Sequence, residues 1–340
     1  MIKNKPFFLT LSLIAIFMLL MFMVIGCGGN GAQPEDPQID ADAQEVFVIG
    51  FSNSSVSNSW AAAYYASAMQ EFTRHDNIRF YTANGNDSVT KQIADVEDLL
   101  AKDIELLMVR PENPEALSAV VEKAYESGIP VVVTGRSIAT DKYTTFVMLD
   151  DTDLGRHAAE YAVKLLTEKY GEPMGKVVEI QGTAGAGSAT ARTNGINEIL
   201  DQYPNIEVVA SQPANYQRAM GKTVMENILQ AQPEIDLVIS ASGESLAGAM
   251  EAMEAVGRLD GTFIVGIDGY NGLLKAIYAG IAQYTVLYPA ELGAESVRVA
   301  LKILQGEDVP KSWPMPIVEV TQDNVDQFVD LDAPDSAWTF

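Results

Sequence analysis

The sequence predicts an α/β protein with two doubly wound lobes, each built on a parallel sheet. From Val46 onward, short β-rich runs alternate with longer helical patterns. Runs such as 46–51, 106–109 and 131–133 are apolar on both faces, which is typical of parallel strands covered by helices on both sides. The chain carries more βα units than one open sheet comfortably holds, and this favours two lobes.

The elements follow one another in a regular order. Pro114 stands in the first turn of one helical pattern and Gly128 lies just past its end, as expected for a helix with both ends marked. Asp153 is the predicted N-cap of the next helix. The predicted strands are Val46–Phe51, Ile78–Thr82, Leu106–Val109, Val131–Val133, Thr145–Leu149, Val177–Ile180, Ile206–Ala210, Leu237–Ser240, Phe263–Ile267, Gln283–Leu287 and Ile317–Val320. The predicted helices are Ser59–Arg74, Asp87–Lys102, Pro114–Ser127, Asp153–Tyr170, 188–202, 217–231, 244–257, 270–279 and 290–305.

The start of the chain has the pattern of a bacterial export signal. Lys3 and Lys5 precede a long apolar stretch, which ends in Val-Ile-Gly directly before Cys27. This order matches a lipobox, so residues 1–26 are predicted to be a lipoprotein signal peptide and Cys27, the only cysteine of the chain, the lipidation site. Residues 7–25 are also about long enough to cross a bilayer, which leaves a transmembrane anchor as the alternative. In either case we expect an extracytoplasmic, membrane-anchored protein.

Composition narrows the classes of partner. Residues 27–44 are rich in glycine, proline and acidic residues and lack apolar periodicity, as expected of a flexible tether. The formal net charge is −24. Such a surface would repel nucleic-acid phosphates, and it gives no basic patch for anionic lipid. We therefore expect no nucleic-acid partner and contact with the membrane through the lipid alone.

Polar and aromatic residues gather where the predicted strands end. Ligands of doubly wound sheets bind beyond the carboxyl ends of the strands. There the sequence places an aspartate, amides, arginines and aromatic rings, a combination that suits a sugar because rings stack on its C–H faces and planar groups bond its hydroxyls. The candidate ligand-binding residues are Asn53, Asn58, Trp60, Arg110, Arg136, Arg192, Tyr216, Ser242 and Asp268.

These segments together resemble the ribose-binding, type I periplasmic family that serves ABC transporters. The matching stretches are Gly50-Phe51-Ser52-Asn53 with Asn58-Ser59-Trp60, Val178–Gly182, Ser211-Gln212-Pro213 and Val265–Gly269. Val178–Gly182, read with Arg136-Ser137-Ile138, is similar to the galactofuranose-binding branch. The resemblance implies two lobes joined by a three-strand hinge, with residues 45–149 and 289–315 in the N-terminal lobe and residues 150–288 and 316–340 in the C-terminal lobe and tail. It implies a monomeric, non-catalytic protein that closes on one sugar and delivers it to a permease, without a cofactor.

Within this resemblance, three departures and one extra arginine point to an unusual ligand. Gly135, the Ser242-Gly243 pair and Leu287 stand where the family commonly has an aspartate, an Asn-Asp pair and a glutamine. Arg110 stands where the family commonly has a neutral residue. Up to three arginines would then face one aspartate, which favours an acidic sugar derivative. The alternative is that Arg110 pairs with Glu112 or Asp150 outside the cleft.

Other motifs give weaker signals. Gly182–Ser188 lacks the Gly-Lys-Ser/Thr ending of a phosphate loop, and Asp151 is not followed at the twelfth position by the glutamate of a calcium loop. His75 and His157 are isolated, so we expect no metal site. Trp313 and Trp338 are expected to be packing residues, and Trp60 to be either core or cleft. A ligand-presenting receptor for a sensor kinase or chemoreceptor stays open as an alternative function.

Overall fold

The computed structural model describes residues 46–338. The predicted signal peptide, the lipidation site at Cys27 and the tether therefore lie outside the described residues. Within 46–338, no helix is both long enough and apolar enough to cross a membrane.

The first lobe is built on a six-stranded parallel sheet with strand order β11-β5-β4-β3-β1-β2. Its strands are β1 Phe47–Asn53, β2 Ile78–Asn84, β3 Leu106–Val109, β4 Val131–Thr134, β5 Thr145–Met148 and β11 Ser312–Pro314. Its helices are α1 Ser59–Phe72, α2 Val89–Leu100, α3 Pro114–Glu126 and α9 Leu292–Leu304. Helices α1 and α9 cover one face of the sheet and α2 and α3 the other, so the central strands are buried on both sides as their composition predicts.

The second lobe repeats this plan, with strand order β12-β10-β9-β8-β6-β7. Its strands are β6 Gly175–Gln181, β7 Ile206–Pro213, β8 Leu237–Ser240, β9 Phe263–Ile267, β10 Tyr284–Val286 and β12 Glu319–Val320. Its helices are α4 Asp151–Tyr170, α5 Gly187–Leu200, α6 Arg218–Ala231, α7 Gly243–Ala255 and α8 Asn271–Tyr278, followed by a short 3-10 helix at Val325–Gln327. The predicted α/β fold with two parallel-sheet lobes is confirmed.

The chain passes between the two sheets three times. It leaves the first sheet after β5, returns to it after β10, and crosses again between β11 and β12. The carboxyl ends of both sets of parallel strands border the region between the lobes, which is where a ligand site of this fold is expected.

Two local predictions are wrong. Asp150, not Asp153, caps α4: its Oδ1 accepts hydrogen bonds from the backbone N–H groups of Thr152 (2.9 Å) and Asp153 (3.2 Å), so the helix begins at Asp151. The predicted strand Ile317–Val320 is shorter, at Glu319–Val320, and pairs antiparallel to β10. The sequence does not predict the strand β11, because only the tryptophan of Ser-Trp-Pro favours a strand and proline disfavours one. Proline is tolerated there because β11 lies at the edge of its sheet.

Candidate ligand-binding cavity

A cavity lies between the lobes at the carboxyl ends of the strands. Its volume is about 80 Å³, several times the roughly 10–15 Å³ that a site needs to hold one water molecule. The lining residues are Asn58, Trp60, Arg110, Gly135, Arg136, Ser188, Arg192, Tyr216, Ser242, Glu244, Asp268, Tyr288 and Trp338.

Eight of the nine candidate residues line this cavity, and Asn53 does not. Asn53 is fully buried at the end of β1, where its Nδ2 donates to the Ser55 carbonyl oxygen (2.8 Å) and to Asn84 Oδ1 (2.7 Å). Its amide therefore ties the β1–α1 loop to the end of β2. In this structure Asn53 supports the loop that carries Asn58 and Trp60 and does not face the cavity.

The first lobe contributes the start of α1. Asn58 caps this helix, because its Oδ1 accepts from the Ala61 N–H (2.8 Å); its Nδ2 group stays outside that bond. Trp60 lies in the first turn, stacks on Tyr64 with ring centroids 5.2 Å apart, and donates its Nε1–H to the Tyr288 carbonyl oxygen (3.0 Å). Both expected positions of Trp60 therefore apply, because its ring packs against the core and also borders the cavity.

Arg110 is a buried cation at the end of β3. Its side chain donates to Ser54 Oγ, and its guanidinium lies over the rings of Trp60 (5.2 Å) and Tyr64 (5.4 Å). Within the described residues no carboxylate lies at ion-pair distance from Arg110, and its Nε has no hydrogen-bond partner. Burial lowers the pKa of Arg110 to about 10, and the nearby charge of Arg136 acts in the same direction.

The alternative pairing of Arg110 is wrong on both counts. Glu112 bonds Arg136 instead, with 2.7 Å between Oε2 and NH1. Asp150 is engaged at the helix start described above. Arg110 therefore lines the cavity with its charge offset by aromatic faces and a hydroxyl.

Arg192 reaches the cavity from α5 in the second lobe. Its Nε donates to Asp151 Oδ1 (2.8 Å), and its NH1 donates to the Ala241 carbonyl oxygen (2.6 Å) at the end of β8. Burial by itself would lower the pKa of Arg192, but the charge of Asp151 and the neighbouring tyrosines raise it overall. The guanidinium also lies 4.8 Å from the centroid of the Tyr288 ring, so it is held rigidly between partners.

Asp268 follows β9 and is held by backbone groups. Its Oδ2 accepts from the Gly243 N–H and its Oδ1 from the Tyr270 N–H, both at 3.0 Å. Burial raises the pKa of Asp268 to about 7, although these two N–H groups and Arg192 act against the shift. Its φ of 97° is in the left-handed region, where an L side chain is strained. A carboxyl fixed in this way has free lone pairs for further donors.

Tyr216 lies across the loop that begins at Gly182. A Cβ at Gly182 would lie 2.2 Å from the Cζ of Tyr216, so the ring can take this position only because residue 182 is glycine. The Tyr216 hydroxyl is 3.1 Å from Ser188 Oγ at the start of α5. The glycine-rich loop at 182–188 thus supports an aromatic wall of the cavity. On the same side Ser242 caps α7 through the Glu244 N–H (3.2 Å).

Hydrogen bonds join the two lobes around the cavity. Ser59 of α1 donates to the Glu244 carboxylate of α7. Tyr288, which lies in the crossing after β10, donates its hydroxyl to the Gly135 carbonyl oxygen (3.1 Å). These contacts hold the lobes together in the arrangement that the structure describes.

Sequence reasoning missed several lining residues. Tyr288, Ser188 and Glu244 were not candidates, and Trp338 was expected only to pack. The prediction of three arginines against one aspartate was also incomplete, because Glu112 and Asp151 pair with two of the arginines and Glu244 adds a second carboxylate to the wall. Glu244 had a usable signal, since it directly follows the candidate Ser242 and the turn after β8.

Each of the two histidines lies beside a glutamate. His75 lies 3.3 Å from Glu71, and His157 contacts Glu319. Between residues 46 and 338, no group of three or more His, Cys, Asp or Glu side chains is placed to hold a metal ion.

Comparisons with known proteins agree with this architecture. Residues 49–308 match the family model described as a periplasmic binding protein domain. The ribose import binding protein of Bacillus subtilis is 32% identical, over 90% of this chain and 97% of its own length.

Two solved structures extend the comparison. A solute-binding protein of an ABC transporter from Bacillus halodurans, with bound myo-inositol, superimposes with a TM-score of 0.76, at 29% identity over 83% of this chain and 97% of its own. The fructose-binding periplasmic domain of a hybrid two-component system has a TM-score of 0.73, at 26% identity over 83% of this chain and 92% of its own. The relatives are binding proteins and not enzymes, and the chain belongs to the periplasmic binding protein family that its sequence resembles.

Proposed function

We propose that this protein captures a sugar or sugar derivative in the cavity between its lobes and delivers it to the permease of an ABC transporter. The observation that carries the proposal is the cavity itself, which combines aromatic faces with fixed arginine and aspartate side chains at the carboxyl ends of both sheets. Trp60 and Tyr216 would stack on the ring of the ligand. Asp268, Arg136, Arg192 and Asn58 would bond its polar atoms.

The names of the relatives support this class of ligand. Ribose, myo-inositol and fructose, the compounds named for these relatives, are polyhydroxylated molecules, and their hydroxyls suit the aromatic, arginine and aspartate side chains that line the cavity. Titration calorimetry with these three compounds, D-galactose and D-galacturonate tests the proposal. We expect at least one compound to bind, Asp268→Ala to abolish binding without unfolding the protein, and Asp260→Ala, an exposed aspartate outside the cavity, to bind like the wild type. Absence of binding by all five compounds would contradict the proposal.

We further propose that the ligand carries an acidic group. Arg110 supports this, because it is a buried guanidinium without a carboxylate partner in the described part of the chain, and an arginine fork suits a carboxylate. The matched pair of D-galactose and D-galacturonate separates the possibilities, since the two differ at one carbon. Tighter binding of the neutral sugar would contradict the acidic ligand.

We assign to a lipid on Cys27 the role of holding the protein at the membrane, beside the permease. The sequence pattern before Cys27 supports the assignment. Cys27→Ala is expected to abolish incorporation of labelled fatty acid, with ligand affinity unchanged. Incorporation of the fatty acid by the variant would contradict lipidation at this residue.

Presentation of the ligand to a sensor kinase is the second candidate function. It is favoured by the similarity to the fructose-binding domain of a two-component system. Transport assays separate the two: deletion of the gene should abolish uptake of the bound ligand if the protein serves a permease, and should leave uptake unchanged if it serves a sensor.

A further inference from the structure

The segment that follows β12 reaches the ligand cavity. Residues 321–338 continue from β12 through the 3-10 helix at Val325–Gln327 and reach the cavity at Trp338, which lines it together with Asp268. This residue lies 30 positions beyond the end of the family match at 308, so nothing in that match assigns it a role.

The segment is fixed in place by the start of α8. Tyr270, the N-cap residue of α8, makes no side-chain cap. Instead the N–H groups of Asn271 and Gly272 donate to the carbonyl oxygens of Ala337 and Asp335, both at 3.0 Å. The C-terminal segment therefore satisfies backbone donors that a helix start leaves open.

The Asn271 side chain adds a second set of bonds. Its Nδ2 donates to the carbonyl oxygen of Asp330 (2.7 Å), and its Oδ1 accepts from the Asp330 N–H (3.1 Å). Lys275 bonds the Ala333 carbonyl oxygen (2.6 Å) one helical turn later. These bonds attach the backbone directly before Trp338 to the start of α8.

Trp338 is thereby joined to the loop that carries Asp268. Its ring meets Tyr270 edge to face, with centroids 5.7 Å apart, and the two residues form an antiparallel bridge. The N–H of Tyr270 in turn donates to Asp268 Oδ1. Contacts thus connect Asp268 in the cavity wall, Tyr270 at the start of α8 and Trp338 in the C-terminal segment.

The indole of Trp338 has an unused donor. Trp338 is 7% exposed, yet within residues 46–338 no acceptor lies at hydrogen-bond distance from its Nε1. A buried tryptophan N–H ordinarily finds a partner. The other two tryptophans do so: Trp60 bonds the Tyr288 carbonyl oxygen, and Trp313 bonds Glu295 Oε1 at 3.1 Å.

We infer that Trp338 is a ligand-binding residue, whose Nε1–H donates to an oxygen of the bound sugar and whose ring closes the second-lobe side of the cavity. This inference rests on the proposed function, because the acceptor is an oxygen of that ligand. The C-terminal segment then contributes to specificity: it adds a donor that only a ligand with an acceptor at that point satisfies.

The test is Trp338→Phe, which keeps the aromatic contact with Tyr270 and removes the N–H. The probes are D-ribose, myo-inositol, D-fructose, D-galactose and D-galacturonate, titrated by calorimetry. For whichever of them the wild type binds, we expect affinity to fall roughly tenfold, as for the loss of one hydrogen bond at a buried site. Trp313→Phe, whose indole bonds outside the cavity, is the matched control and should bind like the wild type.

A second measurement needs no substitution in the protein that is titrated. In the wild type labelled with [15N]tryptophan, the indole signal of Trp338, assigned by its absence from Trp338→Phe, should shift when the ligand binds, and that of Trp313 should stay in place. Unchanged affinity in Trp338→Phe, or an unmoved Trp338 signal at saturation, would overturn the inference alone. Failure of all five compounds to bind the wild type would instead contradict the proposed function, and the inference with it.

Discussion

Arg110→Met separates the effect of the buried charge on the stability of the protein from its effect on ligand binding. Methionine keeps an unbranched apolar chain against the rings of Trp60 and Tyr64, and it removes the charge. We expect this variant to be slightly more stable than the wild type without ligand and to bind an acidic sugar much more weakly. This combination is expected of a charge that costs stability and serves the ligand.

The magnitude follows from the environment of Arg110. Its pKa of about 10 lies roughly two to three pH units below the usual value, which at about 1.4 kcal/mol per unit amounts to about 3 kcal/mol against the charged folded form. Because the folded pKa is the lower one, this cost is fully present at neutral pH and decreases only above about pH 10. Loss of the Ser54 bond and the two cation–π contacts offsets about 2 kcal/mol. The net expected gain is about 1 kcal/mol.

Two assays measure the two effects. Urea unfolding at pH 7 without ligand should give a free energy of unfolding about 1 kcal/mol higher for Arg110→Met. Calorimetry should show about a 50-fold weaker affinity for D-galacturonate, as for the loss of a charge-assisted bond. Arg156→Met, which removes an arginine paired with Glu198 outside the cavity, is the control and should leave binding unchanged. Destabilisation by 2 kcal/mol or more, together with unchanged galacturonate affinity, would refute the reasoning.

Three further substitutions test other parts of the cavity. Asp268→Asn removes a carboxyl whose pKa is raised to about 7 in the folded protein. Because this pKa is higher than in the unfolded chain, the wild type loses stability as the pH rises from about 4 to 7. In urea titrations, the free energy of unfolding of the wild type relative to the variant should fall by about 2–4 kcal/mol over that range. A parallel pH dependence of the two proteins would count against this. Gly182→Ala forces the Tyr216 ring away and should weaken sugar binding at least tenfold in calorimetry. Gly187→Ala is the control: it has open space around the added carbon and should bind sugar like the wild type. Equal affinities of the two variants would show that the position of the Tyr216 ring is unimportant for binding. Ser59→Ala removes the hydrogen bond to Glu244 between the lobes, so the affinity for sugar should fall about fivefold with an unchanged melting temperature. A change in melting temperature without a change in sugar affinity would argue for a purely structural role of this bond.

Much of the cavity lining can be predicted from the sequence, because ligands of this fold bind beyond the carboxyl ends of the parallel strands. Parallel strands end at a common edge, so residues far apart in the chain, such as Asn58, Arg136 and Asp268, are expected to meet once their strands are assigned. The same rule fails for Asn53, which is also at a strand end but directs its amide into the β1–α1 loop. Strand ends give the neighbourhood of a residue, and the direction of its side chain depends on local hydrogen bonds.

The partners of the arginines depend on distances that sequence does not provide. Glu112 is two residues from Arg110 in the chain but bonds Arg136, and Asp151 bonds Arg192 from a different helix. Trp338 is harder still, because its position comes from bonds between irregular backbone at 330–337 and the start of α8. A segment without periodicity gives no sequence signal for where it packs.

A crystal structure with the bound ligand tests the central claim most directly. The protein would be co-crystallised with the compound that binds most tightly in the titrations. The account predicts ligand density in the cavity between Trp60 and Tyr216, within hydrogen-bond distance of Asp268, and with an acidic group at Arg110. Density at another surface, with this cavity occupied by water alone, would contradict it.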